Sequence, residues 1–70
     1  MDWKDRLLDE RDMLKERHLM LSDFVENVGN KETMPIDHWE LLVIQLAAMN
    51  TYLVVLQTRL DKLGIPYHER

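Results

Sequence analysis

The chain has 70 residues, no cysteine and a formal net charge of −4. This length corresponds to one domain, and a monomer of this size buries only roughly 60% of the surface that its unfolded chain exposes. Without disulfides or thiolate metal sites, stability must come from helix packing, self-association, or both. The acidic balance argues against general nucleic-acid binding, which usually needs a basic face.

Residues 2–28 are predicted to form a first helix, because they are rich in Leu, Met, Glu, Lys and Arg, which are good helix formers. Asp2 is suited to cap its first turn, and Gly29 is a typical left-handed helix stop. Arg11 lies among acidic neighbours, a pattern typical of a charge-balanced, solvated face. The predicted seam has heptad spacing and comprises Trp3, Leu7, Glu10, Leu14, Arg17, Leu21, Phe24 and Val28.

Residues 29–36 form the predicted connection, residues 37–63 the second helix and residues 64–70 a short tail, so residues 1–70 make a single domain. Pro35 suits a first helical turn, and Asp37 stands three residues before Glu40, at capping-box spacing. Gly64, followed by Pro66, marks the end of the second helix.

The second helix carries the clearest heptad pattern, because its seam residues alternate steps of three and four without interruption. A second apolar stripe, formed by Leu41, Ile44, Ala48 and Val55, lies on another side of this helix. A helix that is apolar over most of its circumference is typically buried. The predicted seam is Trp39, Leu42, Leu46, Met49, Leu53, Leu56, Leu60 and Leu63.

The first helix offers enough apolar surface to cover one face of the second, which leaves the other face exposed. The sequence therefore predicts an all-α fold: a two-helix antiparallel hairpin that assembles into a homo-oligomeric helical bundle. Residues 41–58 carry no formal charge and reach the lower length limit of a membrane-spanning helix. Polar residues within this stretch make spanning costly, so no membrane association is expected.

Catalytic motifs are absent from the sequence. His18, His38 and His68 are far apart and lack the spacing of metal ligands. There is no glycine-rich phosphate loop, and Ser22 is the only serine. We therefore expect no enzymatic activity, no metal and no cofactor. The lack of cysteine and the charged N-terminus suit a cytoplasmic protein.

Polar residues interrupt the apolar surfaces. Tyr52 and Arg59 lie seven residues apart beside the seam of the second helix, Gln57 lies on its other flank, and Arg17 lies on the first helix. Such residues often only set register and oligomer state, and that interpretation stays open. In the other interpretation these four side chains converge at an oligomer interface, where a guanidinium and an aromatic ring suit a phosphate and a base.

The order of certain residues along both helices is distinctive. They are residues 8–17, Leu21, Phe24, Leu41, Leu42, Gln45, Leu46, Met49, Tyr52, Leu56, Arg59 and Leu60. In these residues the chain resembles a family of small helical proteins that was first named from crAss-like bacteriophages and is mostly without known function. The resemblance covers nearly the whole chain.

In size, helical architecture and polar groups near a predicted interface, the chain is also similar to phage anti-CBASS sponges, small helical oligomers that sequester cyclic nucleotide signals. This resemblance implies a phage counter-defence protein of the host cytoplasm that holds a small cyclic nucleotide at oligomer interfaces. The alternative is a protein–protein interaction module that inhibits or scaffolds a host or phage protein.

Overall fold

The structure, a computed structural model, describes residues 2–67. These residues form three helices and no strand, so the fold is all-α. The helices are α1 (Trp3–Glu26), α2 (Val28–Glu32) and α3 (Ile36–Leu63). The predicted second helix corresponds to α3, and most of the short helix α2 occupies what was expected to be the connection.

Side-chain caps define the start of α1 and of α2. Asp2 caps α1 as predicted, since its Oδ1 accepts two backbone hydrogen bonds from the first turn, at 2.9 and 3.0 Å. The prediction that Gly29 ends the first helix is wrong, because Gly29 lies inside α2. Asn27 ends α1 in an extended conformation, and its Oδ1 then accepts from the Gly29 backbone N–H at 3.0 Å. One asparagine thus separates the two helices.

The two ends of α3 differ in their capping. Pro35 is the N-cap residue without a side-chain hydrogen bond, and the capping box expected from Asp37 is not formed. Instead, Asp37 Oδ1 accepts from the next backbone N–H at 2.9 Å. At the other end Gly64 has φ +68°, and Ile65 N–H donates to the Leu60 carbonyl at 3.0 Å. This Schellman pattern confirms the predicted role of Gly64.

α1 and α3 lie side by side and run in opposite directions. Phe24, near the end of α1, has its ring centroid 6.4 Å from that of Trp39, near the start of α3. At the other end, residues from the first half of α1 pack against the second half of α3. This core cluster consists of Leu7, Leu14, Leu53, Leu56 and Leu60.

The buried face of α1 is rotated relative to the predicted seam. Trp3 and Val28 are 55% and 68% exposed, and Glu10 and Arg17 are also exposed. The buried position between the core leucines is held by Arg11, only 2% exposed. The prediction of a solvated Arg11 is therefore wrong. The aliphatic stem of an arginine packs like an apolar side chain when its guanidinium finds polar partners.

The predicted seam of α3 faces α1, but its burial is uneven. Its four buried residues are Trp39, Leu53, Leu56 and Leu60, and its three half-buried residues are Leu42, Leu46 and Met49. The last seam residue, Leu63, is 39% exposed. The second stripe is not covered, since Leu41, Ile44 and Val55 are 63%, 64% and 50% exposed. By length and composition alone, α3 would also suffice to cross a membrane.

Candidate ligand-binding groove

An open groove follows the junction of α1 and α3 on one side of the molecule. It consists of two adjoining cavities that share Arg6 and Glu10. The first cavity also includes Arg17 and Tyr52, and the second includes Arg59. We call it the arginine groove. The first cavity has a volume of about 370 Å³, within the range of small-molecule sites.

Helix periodicity explains why these side chains meet. Arg6, Glu10 and Arg17 are spaced by four and seven residues, so they lie within about 40° of one another around α1. Tyr52 and Arg59 are seven residues apart and share a face of α3 in the same way. Arg11 occupies the buried position of α1, so Glu10 and Arg17 do not lie in the contact with α3 that the predicted seam gave them. They lie at the edge of that contact, where they border the groove.

The groove arginines are not neutralised by ion pairs. Among residues 2–67, the one side-chain salt bridge joins Arg11 to Asp12, at 3.1 Å. Arg6, Arg17 and Arg59 therefore present charged guanidinium groups without a paired carboxylate in this part of the chain. Guanidinium is a planar fork of donors that binds phosphate and carboxylate groups through paired hydrogen bonds. Three such groups in one groove are suited to a multiply charged anion.

Tyr52 and Glu10 are linked across the groove. A hydrogen bond to Glu10 raises the pKa of Tyr52 above its ordinary value of 10.0, and desolvation and the negative charge of Glu10 act in the same direction. The positive charge of Arg59 opposes them and lowers the pKa. The Tyr52 hydroxyl therefore remains protonated at neutral pH and donates to Glu10, while the Tyr52 ring is exposed.

The structure places three of the four predicted ligand residues in this groove and one elsewhere. Arg17, Tyr52 and Arg59 line it, whereas Gln57 lies about 140° from Tyr52 around the axis of α3. In the amide orientation that satisfies both groups, Gln57 Oε1 accepts hydrogen bonds from Arg11 Nε at 3.3 Å and Nη2 at 3.0 Å. Gln57 thus supports a buried guanidinium and does not face the groove.

On this opposite side the Arg11 guanidinium has hydrogen-bond partners for three of its five N–H groups. Besides Gln57, it bonds to Asp12 through Nη1 at 3.1 Å, and its carbon lies 4.4 Å from the centroid of the Tyr67 ring. Tyr67 also packs against the core cluster. A buried charge is tolerated only with such pairing. This arginine therefore connects α1, α3 and the segment after α3, and is unavailable to an external ligand.

Three polar or aromatic groove residues were not named as site residues from the sequence: Trp3, Arg6 and Asp9. Arg6 lies in both cavities, and Trp3, which is 55% exposed, lines the second one beside Arg59. Their signal was present in the sequence, since Arg6 stands four residues before Glu10 and so on the same face of the helix. Trp3 adds a second aromatic surface to the groove, which is suited to stacking against a base.

Among residues 2–67, no group of three His, Asp or Glu side chains is placed to hold a metal ion. His68, one of the three histidines that lack metal-ligand spacing, lies outside the described residues.

Within residues 2–67 the fold is all-α, and arginines without a carboxylate partner share one groove with aromatic rings; this combination is typical of a small helical binding protein. A profile of the Sequestin family matches residues 1–62, and the chain belongs to this family. The family name indicates a protein that binds and sequesters another molecule. No curated protein and no solved structure matches the chain significantly.

Proposed function

We propose that this chain is a phage-encoded counter-defence sponge, which sequesters a small nucleotide signal in the arginine groove of a homo-oligomer of helical hairpins. It acts in the host cytoplasm by binding alone, without catalysis, metal or cofactor. The observation that carries the proposal is a set of three guanidinium groups beside Tyr52 in one groove, none of which forms an ion pair within residues 2–67. The Sequestin family match supports sequestration as the mode of action.

The roles within the groove follow from side-chain chemistry. Arg17 and Arg59 bind the phosphates as bidentate donors, and Arg6, which lines both cavities, adds a third positive charge. Tyr52 contributes a ring for base stacking, while its hydroxyl donates to Glu10. Since Asp9 and Glu10 would repel phosphate, phosphates bind nearer the arginines, and donor groups of the base or ribose bind nearer these two carboxylates.

Isothermal titration calorimetry with a panel of cyclic di- and trinucleotides and related nucleotide signals tests the proposal. At least one compound should bind with submicromolar affinity. Arg59→Ala should weaken binding about 10- to 100-fold, the loss expected for a charge-assisted hydrogen bond. Lys31→Ala is the matched control, because Lys31 is exposed on α2 and lies outside the groove.

Two results would overturn the proposal: no panel member binding more tightly than micromolar, or Arg59→Ala and Arg17→Ala binding as well as the Lys31→Ala control. Circular dichroism of each variant establishes that helix content is unchanged. Arg17 and Arg59 are exposed and make no ion pair within the described residues, so both variants should fold normally.

Homo-oligomerisation is the second part of this proposal, supported by the exposed apolar stripe of α3. Leu53→Asp cannot separate assembly from folding, because Leu53 is 3% exposed within the core of the single chain and an unpaired buried charge there should abolish folding itself. Light scattering of the unmodified protein should show an oligomer at micromolar concentration. A well-folded, monodisperse monomer would refute the oligomer.

The same exposed stripe favours a second candidate function, a protein–protein interaction module. In that case α3 docks on a host or phage protein and inhibits or scaffolds it. Purification of the chain from infected or host cells would then yield one partner in stoichiometric amount. Arg59→Ala separates the two functions, because it should weaken nucleotide binding but leave docking through the α3 stripe intact.

A further inference from the structure

α3 carries a continuous apolar stripe on the side that faces away from α1. Its members follow steps of three and four residues and are all exposed in the single chain. The largest side chains among them are 50% to 64% exposed. We call this the outer stripe; it comprises Leu41, Ile44, Ala48, Thr51, Val55 and Thr58.

The two threonines of the outer stripe do not make it polar. Thr51 Oγ1 donates to the Ala47 carbonyl at 3.2 Å, and Thr58 Oγ1 donates to the Val54 carbonyl at 2.8 Å. Each hydroxyl proton is thus satisfied within α3 itself. The groups left to face outward are largely methyl groups, so covering the stripe would leave neither hydroxyl donor unsatisfied.

The chain exposes more surface than a compact monomer of its size, and the excess is close to the area that an interface with a second copy would bury. A compact monomer of 8.4 kDa exposes about 4600 Å², whereas this chain exposes 5293 Å². The excess is therefore roughly 700 Å². Stable protein interfaces bury about 800 Å² on each partner, so one further helix pairing would bring the chain to an ordinary exposed area.

Charge determines the direction in which a second copy fits. The outer stripe continues in register to Asp37 at the start of α3 and to Lys62 at its end. Parallel pairing would place each of these charges beside its own copy, which is repulsive. Antiparallel pairing places Asp37 beside Lys62 at both ends and also opposes the two helix dipoles.

We propose that a second copy of the chain docks antiparallel on the outer stripe through a two-fold axis near its centre. In this register Leu41 lies opposite Thr58, Ile44 opposite Val55, and Ala48 opposite Thr51. Every position pairs with its complement, as an isologous interface requires. The small residues Ala48 and Thr51 lie at the axis, where they allow the two helices to approach closely.

This arrangement has a consequence for the groove, and this part rests on the proposed function. A two-fold axis perpendicular to both helices keeps each flank of α3 on its own side, so the two arginine grooves open on the same side of the dimer. In this register the two Tyr52 residues lie about 8 Å apart along the helix direction. One nucleotide with two phosphates or two bases would then contact Tyr52 and Arg17 of both copies.

Cysteine cross-linking tests the register, because the chain contains no cysteine. Leu41→Cys and Thr58→Cys variants carrying different tags are mixed, unfolded, refolded together and oxidised without any nucleotide. Antiparallel pairing brings the two thiols within disulfide range, which requires Cα atoms about 4.4–6.8 Å apart. A parallel pair would separate positions 41 and 58 by about 26 Å. The expected product is the mixed dimer in large excess over either same-variant dimer.

Several outcomes would overturn the interface. Same-variant dimers in excess mean parallel pairing. The absence of any cross-link together with a monomer in light scattering means that no second copy docks. Partition of the unmodified chain into phosphatidylcholine–phosphatidylglycerol vesicles, without cross-linking in solution, means that lipid covers the stripe. Met20→Cys, on a 66% exposed position of α1, is the control for random collision and should not cross-link.

A second pair of variants distinguishes loss of the interface from misfolding. Ile44→Lys should convert the dimer to a folded monomer, while Met20→Lys at a similarly exposed position should leave it dimeric; unchanged association of Ile44→Lys would overturn the interface.

The readouts of these experiments also separate this interface from the proposed sponge function. A cross-linked mixed dimer that binds no nucleotide overturns the sponge alone, and nucleotide binding without the mixed dimer overturns this interface alone.

Discussion

Replacing Gln57 with alanine tests whether this residue serves the fold or a ligand. Gln57 Oε1 accepts two hydrogen bonds from the guanidinium of Arg11, which is 2% exposed. Hydrogen bonds to charged groups contribute about 1.5–3 kcal/mol, and a buried donor left without its acceptor bears a desolvation cost of similar size. We therefore expect Gln57→Ala to lower the free energy of unfolding by about 1.5–3 kcal/mol, a large part of the stability of so short a chain.

The assay is urea denaturation followed by circular dichroism, at one fixed chain concentration because association shifts apparent stability. Gln45→Ala is the matched control on the same helix, since Gln45 is exposed, and it should change stability by less than about 0.5 kcal/mol. In an Arg11→Met background Gln57→Ala should cost much less, because the guanidinium that needs the acceptor is gone. An equal loss in both backgrounds, or a loss no larger than that of the control, would refute this account of Gln57.

Three further predictions follow from single residues. Leu56→Ala should cost about 2–5 kcal/mol in urea denaturation, because Leu56 is fully buried and the deletion leaves a cavity; a cost below 1 kcal/mol would contradict this. Gly64→Ala should cost about 1–2 kcal/mol, since φ is +68° although nothing obstructs the new methyl group; an unchanged unfolding midpoint would argue against it. The pKa of Tyr52 lies above 10.0 chiefly through Glu10, so its contribution to stability is complete below pH 10 and is lost as the pH rises through the folded-state pKa. In NMR titration Glu10→Gln should lower this pKa, and an unchanged value would count against the pairing.

Heptad spacing predicted the elements of this fold but not the rotation of α1. The uninterrupted spacing of the α3 seam identified the side that packs on α1, and Gly64 with Pro66 identified where α3 ends. For α1, leucines every seven residues are compatible with two adjacent faces. The choice between them depends on whether Arg11 is buried, and that depends on Gln57 and on Tyr67, which is 56 positions further along the chain. Local sequence patterns carry no information about contacts between residues so far apart in the chain.

The same rotation explains why the candidate groove was only partly predictable. Arg17, Tyr52 and Arg59 were selected for interrupting apolar stripes, and this reasoning also selected Gln57, whose amide is used in the fold. The spacing shows that a polar side chain lies at the edge of an apolar face of its helix, but it does not show which neighbouring side chain it contacts. Arg6 does not stand out in the sequence, because it lies four residues from both Asp2 and Glu10, the spacing of an ordinary charge ladder on a solvated helix face.

The net charge of −4 bears on the kind of anion that the groove can hold. At physiological ionic strength, charges more than about 8 Å away are largely screened. A small anion in the groove therefore interacts mainly with the charges that line it. These are three arginines against two carboxylates, a net charge of +1: Arg6, Arg17 and Arg59 against Asp9 and Glu10. A long nucleic acid extends beyond this patch and meets the acidic remainder of the surface, which repels it. Local positive charge on an acidic chain thus favours a compact anion over a polymer, and it does so without the long-range attraction that accelerates association in basic proteins.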